Sequence, residues 1–554
     1  MKTHFTAKAL IVCFIFSLSA NEMQAQSGQW TWMKGDSISN LPSVYGVKGV
    51  ASPTNRPGGR SAAINWTDLA GNLWIYGGIE GVNSTGDLKS DLWKYNTSTN
   101  EWTWVNGDTL TGAPPIYGTM GVSSAATNPG VRYECPKWID KSGNLWLFGG
   151  NDLRNDLWKY TPSNNRWTWM KGDSITSAPA SHGIQGVASI TNNPAGRSLP
   201  MNWVDTSGNF WMFDGTAWPS FGNELWKYNP STNIWTWVKG DSLEQKGVYG
   251  IRGVSSPDNH PGTRIASLTW TDNSGDLWFF GGDACYTQEN GCFNDMWKYH
   301  IASNEWTWMQ GDSVTNLPAV WGTKGVSSPY NKPQGRAYAT GWKDRTGNLW
   351  LFGGEYSPCI GTREGPMNNL WRYNTAANEW TWVKGDTAHW SIGSYGIQGI
   401  TYVNNEPRAR MESSGWVDAT GTFWLFGGGK GYGQFYQSGY LNDLWRYTPD
   451  TTNILPVHLL TFTAQLQDKQ THLHWTVENE QNFDRYQIER SSNGKDFTAN
   501  GSVKAIHARQ YSFVDKNPTN QQTTPNNILP PKDDRQRQHL YLQQHCIRQS
   551  ANGQ

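Results

Sequence analysis

Between Gln29 and Pro449 the chain carries short runs in which apolar and polar residues alternate over four to six positions, separated by Gly, Asn, Asp and Pro. Alternation with period two marks strands with one face buried, and the separating residues are those that turn a chain. The runs themselves recur. Aligned on Trp, they give six copies of one unit, each opening with an Arg six residues before a Trp: Arg60 and Trp66, Arg132 and Trp138, Arg197 and Trp203, Arg264 and Trp270, Arg336 and Trp342, Arg410 and Trp416. From that Trp every copy reads W-x-D-x-x-G-x-x-W, as in "WTDLAGNLW" from Trp66. Gly-Gly follows in five copies, then a loop of variable length, "DLWKY" or a close variant, a short "NTSTN"-like turn and W-T-W. Strand, turn, strand, twice over, predicts a four-stranded antiparallel meander per unit.

The Asp-x-x-Gly turn has a physical rationale, since Asp accepts from backbone amides and Gly supplies the positive φ that closes the turn. Calcium ligation and the Asp box of sialidase-type hairpins are the rival readings. One carboxylate per turn falls short of the roughly six to eight oxygens calcium takes, so no metal is expected.

The first W-T-W, in "QWTWMKGD" from Gln29, has no unit before it, and the last unit stops at "TPDTTN" without one. Trp30 and Trp32 are therefore expected to supply the missing outer strand beside Leu444, Trp445 and Tyr447, closing the repeats into a ring.

These motifs resemble the kelch repeat: strand, Gly-Gly, variable loop, "LWKY" and a late Trp. The resemblance covers about Gln29 to Pro449 and implies an all-β, six-bladed propeller over 26–452. Successive W-T-W copies lie 65 to 74 residues apart, longer than the usual kelch spacing of about 50. Thirty of the 34 Trp are repeat positions, which reads as packing between blades that have no core of their own.

In such a meander the long, varied connections fall on one face, and rigid scaffolds present function on loops. That face is expected to carry the repeated aromatic-Gly-x-x-Gly motif at Tyr45, Tyr117, His182, Tyr249, Trp321 and Tyr395, read mainly as packing. It would also carry the irregular loops with Trp218, Phe221, Tyr286, Tyr356, Arg363, Tyr432, Phe435, Tyr436 and Tyr440. These are the ligand-binding candidates, because repetition does not explain them.

Composition narrows the partners. Formal net charge is +0 and only 16% of residues are charged, so electrostatic capture of nucleic acid is not expected. Lys2 and Lys8 precede an apolar run from Ala9 to Ala20 and a small residue, Ala25, the layout of a signal peptide over 1–25. No later apolar run spans a bilayer, and an exported monomer, secreted or on the cell surface, is expected. Cys285 and Cys292 bracket "CYTQENGC", a candidate local disulfide in an exported chain.

From Asn453 the Trp-Gly pattern stops. "THLHWTV" and "RYQIERS" read as strands of a small β-sandwich. With "YQIERSSNGKDF" the segment 453–517 resembles the fibronectin-type-III-like region that precedes sorting domains in type IX secretion, implying a spacer. The tail, 518–554, is Gln-rich without strand pattern and reads either as disordered or as out of frame. Codons compatible with Ile528 to Cys546, shifted by one nucleotide, can spell the strand-like YYRLKTIDKDNIYTYNNIV.

Three functions fit. The favoured one is a non-catalytic binding module for a glycan or an extracellular protein, with no catalytic residue and no cofactor. The kelch resemblance also reaches the galactose oxidase group, whose copper radical chemistry needs Tyr, His and a Tyr-linked Cys. With only His182, His260, His300 and His389 in the repeats, no ligand set carries over. A propeller enzyme, either a carbohydrate oxidase or glycoside-active, and a structural adhesion scaffold are the remaining alternatives.

Overall fold

The computed structural model describes residues 28–449 apart from 82–86, 218–221, 286, 288, 357–363 and 432–438, and, further on, 458–468, 470–478, 485–490, 498–504, 506, 508–516 and 532–533. The described residues are all-β, with a single 3-10 turn at Asn151–Leu153. No helix among them is long and apolar enough to cross a membrane. The chain divides into two compact units, Ala25–Pro449 and one holding Asp450–Gln554.

In the first unit six large antiparallel sheets recur among the described residues, five of four strands and one of five. The first sheet runs Ile64–Thr67, Leu73–Tyr76, Leu92–Asn96, Glu101–Asn106 in chain order. Trp66 sits opposite Trp74, and Tyr95 opposite Trp102. The second strand, LWIY, is buried at every position, because each sheet is sandwiched between two others and has no solvent face there. Its hydrophobic residues accordingly join clusters with neighbouring sheets. Trp66 and Trp74 pack with Leu145, Trp158 and Trp167 of the next sheet, and Leu73, Trp93 and Trp102 pack with Trp416, Phe426 and Leu444 of the last.

The inner strands contact one another in sequence: Ile64–Thr67, Lys137–Ile139, Met201–Val204, Leu268–Thr271, Thr340–Lys343 and Ser414–Val417, which returns to the first. Trp66 donates its indole N–H to the Trp146 carbonyl of the next sheet at 3.1 Å, and Trp416 closes the cycle by donating to Trp74 at 3.2 Å. The second Trp of each unit is held instead by the turn aspartate. Asp68 accepts from the Ala70 and Asn72 amides through Oδ1 and from the Trp74 indole through Oδ2 at 2.8 Å. The equivalent indole bonds to Asp140, Asp205, Asp272, Asp344 and Asp418 are all present. These carboxylates are consumed by the turn and the adjacent indole.

The sixth sheet takes its outer strand, Trp30–Lys34, from the other end of the unit. It pairs with Tyr440–Tyr447 in the register Trp30 to Tyr447 and Trp32 to Trp445. Loops following W-T-W cover the outer edge of the next sheet, where Gly49 and Asn55 donate to the Trp104 and Trp102 carbonyls at 2.8 and 3.2 Å. Exposed strand edges, which invite pairing with other chains, are shielded in this way.

In the second unit His458–Gln467, Gln470–Glu478 and Gln510–Asp515 form one sheet, and Thr498–Lys504, Arg485–Arg490 and Lys532–Asp533 another. Leu473, Trp475, Val477, Tyr486, Ile488 and Tyr511 share one core, drawn from both sheets.

Candidate functional site

Two residues after each repeated Arg stand Ala62, Glu134, Leu199, Ala266, Tyr338 and Glu412, all with φ between 54° and 59°. Six non-glycine residues in the left-handed region cost roughly 1–2 kcal/mol each in isolation. They are held there by a closed circuit of backbone hydrogen bonds. Each amide donates to the carbonyl of the equivalent residue in the preceding sheet at 3.0 to 3.2 Å, and Ala62 closes the circuit by donating to Glu412. The circuit rings the end of the inner strands at which the long connections emerge.

Two positions before each of these residues stands a repeated arginine. Arg60, Arg132, Arg197, Arg264 and Arg410 each meet a buried acid, Asp91, Asp156, Glu224, Asp295 and Asp443, at 2.5 to 2.7 Å. The acid is the residue that opens "DLWKY", and it also accepts the indole N–H of that Trp, as Asp91 does from Trp93 at 2.7 Å. The loop aromatic completes each cluster: Tyr45, Tyr117, Tyr249 and Tyr395 donate their hydroxyls to the same acids, and His182 bonds Glu224. Burial opposes the Asp91 and Asp443 carboxylates, but the guanidiniums and these donors outweigh it and hold both below the usual range. For Glu224 the balance gives about 2. The repeated aromatics are thereby assigned to packing and charge support. Tyr45 stacks on Trp93 at 5.1 Å.

The ring opens at one side into a cavity of about 370 Å³ lined by Tyr133, Glu134, Asn151, Asp152, Ser198 and Tyr338 among others. Ser198 donates to Glu134 at 2.6 Å. Burial raises the Glu134 carboxyl above its ordinary value despite that bond. The Tyr133 phenol is raised by burial and then by the charges of Glu134, Asp152 and Glu412. Hydroxyls, amides and carboxyls beside tyrosine rings can bond to and stack on a polyhydroxylated ligand. Farther along the inner strands a second cavity, about 310 Å³, is lined by Asn65, Lys137, Lys343 and the first Trp of several units. Burial pulls the Lys137 ammonium down to about 8.

Of the ligand-binding candidates read from sequence, Trp218, Phe221, Tyr286, Arg363, Tyr432, Phe435 and Tyr436 lie outside the described residues. Tyr356 is only 6% exposed and packs with Cys292 and Met367, so it is core and not a ligand platform. A neighbouring strand, Gly365–Pro366, pairs with its backbone. Tyr440 is partly buried beside Asn40, whose side chain accepts from its amide at 2.8 Å. The Cys285–Cys292 bridge is not formed. Cys285 is disulfide-bonded, whereas Cys292 keeps its thiol. The backbone bridge from Asp283 to Cys292 turns the Cys292 side chain into the small core with Tyr356 and Met367.

The histidines are dispersed. His260 faces Asn223, His300 pairs with Asp276 at 3.1 Å, and His389 bonds the Gly365 carbonyl. Among the described residues no group of three or more His, Cys, Asp or Glu is placed to hold a metal ion. Glu134 and Tyr338 were missed in sequence because they occupy ring positions whose identity changes from unit to unit, and Tyr133 and Asp152 because they stand beside the ring, one next to Glu134 and one in the 3-10 turn Asn151–Leu153. The Arg–acid clusters did carry a signal, since both partners recur in register with the Trp pattern.

No family model matches the chain. It is 26% identical over 281 residues to a xyloglucanase of Paenibacillus sp, covering 49% of this chain and 24% of the relative. It is 25% identical over 217 residues to multiple epidermal growth factor-like domains protein 8 of Mus musculus, covering 38% of this chain and 6% of the relative. The chain thus spans a quarter or less of the curated relatives it matches. The xyloglucanase likeness joins a carbohydrate-active protein to a β-rich chain.

Proposed function

We propose that the six sheets are blades of a secreted kelch-type β-propeller and that its loop-bearing axial mouth binds a glycan. The observation that carries this reading is the cavity in which Tyr133 and Tyr338 stand beside Glu134, Asn151 and Asp152. The likeness to a xyloglucanase supports a plant-type β-glucan as the first ligand to try. Non-catalytic binding is the primary role, with the irregular loops around Trp218, Tyr286 and Tyr436 extending the surface, and the second unit acting as a spacer of the type IX kind. Calorimetric titration of the full chain with xyloglucan oligosaccharides and a glycan panel tests it. Tyr133→Ala and Asp152→Asn should each weaken binding at least tenfold. Affinity untouched by both would remove the axial mouth from consideration.

A second reading, hydrolysis of the bound glycan, is favoured by one feature. Glu134 is held toward its protonated form, as a general acid must be, and Glu412 lies one ring position beyond Ala62. Reducing ends released by the parent and lost in Glu134→Gln would establish it.

A further inference from the structure

The residue before the first Trp of each unit is Asn65, Lys137, Asn202, Thr269, Gly341 or Gly415 in turn. Three of these side chains do the same thing. Asn65 donates to the Gly415 carbonyl at 2.6 Å, Asn202 to the Lys137 carbonyl at 2.8 Å and Thr269 to the Asn202 carbonyl at 3.1 Å, so each bonds the equivalent residue of the preceding sheet. Two positions are glycine and have no side chain to bond with. Lys137 is the exception. Its ammonium makes no hydrogen bond or ion pair with any described residue, and the side chain lines the second cavity instead.

That cavity, about 310 Å³, is lined by all six inner strands and shares no residue with the one beside Tyr133. Its charge is one-sided. Lys343 also lines it, from the fifth sheet, three steps from Lys137 in either direction round the cycle of inner strands, and no acid does. Lys343 Nζ donates to Asn273 at 3.1 Å, which uses one of its three hydrogens. The acids that act on Lys343 are already engaged, Asp344 by the Trp350 indole and Asp272 by Lys298. The strands packed against Lys137, Ile64–Thr67, Leu145–Phe148 and Met201–Val204, contain no ionisable residue. Its remaining titratable neighbour is the Cys135 thiol, which burial keeps neutral. A further donor is left over at the same place. The indoles of Trp66, Trp138, Trp203, Trp342 and Trp416 each donate to a carbonyl of an adjacent sheet, whereas Trp270, which lines this cavity, has a buried Nε1 with no hydrogen-bond partner.

An ammonium walled by indoles and aliphatic side chains needs a counter-charge, and water, although it accepts hydrogens, supplies none. We propose that the second cavity is a binding site for a small oxyanion, a carboxylate or a sulfate-type ion, with Lys137 as its principal contact and Lys343 meeting it from the opposite side. Burial brings Lys137 to about 8. An anion needs the charged form, so uptake is full below that pH and declines above it.

Melting of the full chain, followed by calorimetry at fixed ionic strength while chloride is replaced by sulfate or by acetate, tests the site. The oxyanion should raise the melting temperature of the parent, and the apparent affinity drawn from that rise should fall on the order of tenfold or more in Lys137→Met. Lys343→Met should weaken it less. In the parent the affinity should be about tenfold lower at pH 9 than at pH 7, whereas Lys137→Arg, charged at both values, should keep it level. This pH contrast decides the matter even if Lys137→Met does not fold. A rise with sulfate alone assigns the site to inorganic oxyanions, and a rise with acetate alone assigns it to carboxylates. No rise with either, an equal rise in parent and Lys137→Met, or the same pH dependence in parent and Lys137→Arg overturns the proposal.

Discussion

The first and sixth sheets are built from the same residues with different connectivity. In the first, Leu92–Asn96 and Glu101–Asn106 are joined by a tight turn. In the sixth the corresponding strands, Tyr440–Tyr447 and Trp30–Lys34, lie some four hundred residues apart along the chain. Yet Trp102 sits opposite Tyr95 just as Trp30 sits opposite Tyr447, with ring centroids 5.1 and 4.9 Å apart. Asn55 donates to the Trp102 carbonyl and Asn405 to the Trp30 carbonyl, both at 3.2 Å. The turn is therefore dispensable for register. The alternation of W-T-W, the pocket between adjacent sheets and the covering loop are enough to place the strand.

That equivalence can be broken most severely by deleting Gln29 to Asp36. The deletion bares the edge of the sixth sheet and empties the site of Trp30, which is wholly buried. A fall in melting temperature larger than that from any single substitution is expected, read by calorimetry on the full chain. Reinserting the same eight residues after Asp450 should restore melting to that of the parent. A relocated strand without effect would show that its N-terminal position matters in itself.

Single truncations sharpen the comparison. Trp30→Ala and Trp102→Ala should each cost about 3–5 kcal/mol, and their chemical denaturation midpoints should agree closely. If Trp102→Ala were much the more damaging, the sixth sheet would be the looser one.

The ion pairs offer a gentler probe. Burial disfavours the Glu224 carboxylate, but the His182 and Arg197 contacts hold it at about 2, below its ordinary 4.5. A carboxyl lowered by folding adds stability that is complete above about pH 4.5 and lost as pH falls toward 2. The contribution is on the order of 3 kcal/mol. Glu224→Gln should flatten the acid limb of stability against pH in that window. The smallest effect is expected at Thr31, whose hydroxyl bonds Thr401 at 2.7 Å across the clasp. Thr31→Ala should cost about 1 kcal/mol, detectable as a slight shift in denaturation midpoint.

How far such features could be read along the chain depended on their range. An all-β chain of antiparallel sheets was legible because alternation and the Asp-x-x-Gly turns act within a few residues, and the turn bonds of Asp68 and Asp140 are of that kind. The axial cavity was not legible. Tyr133, Glu134 and Tyr338 meet there because the ring circuit brings successive sheets together, and nothing in their local sequence marks them. Cys285 and Cys292 misled for the complementary reason, since closeness along the chain says little about where two side chains point once a backbone bridge fixes the hairpin.

Sequence alone determined strand type and turn chemistry, because each rests on hydrogen bonds and periodicities spanning at most a few positions, and it displayed the repetition of the unit directly as recurring text. Only the tertiary structure decided which acid answers each arginine. Those partners lie 24 to 33 residues apart on different segments, and they find each other because a guanidinium can be buried only where a carboxylate or another counter-charge meets it.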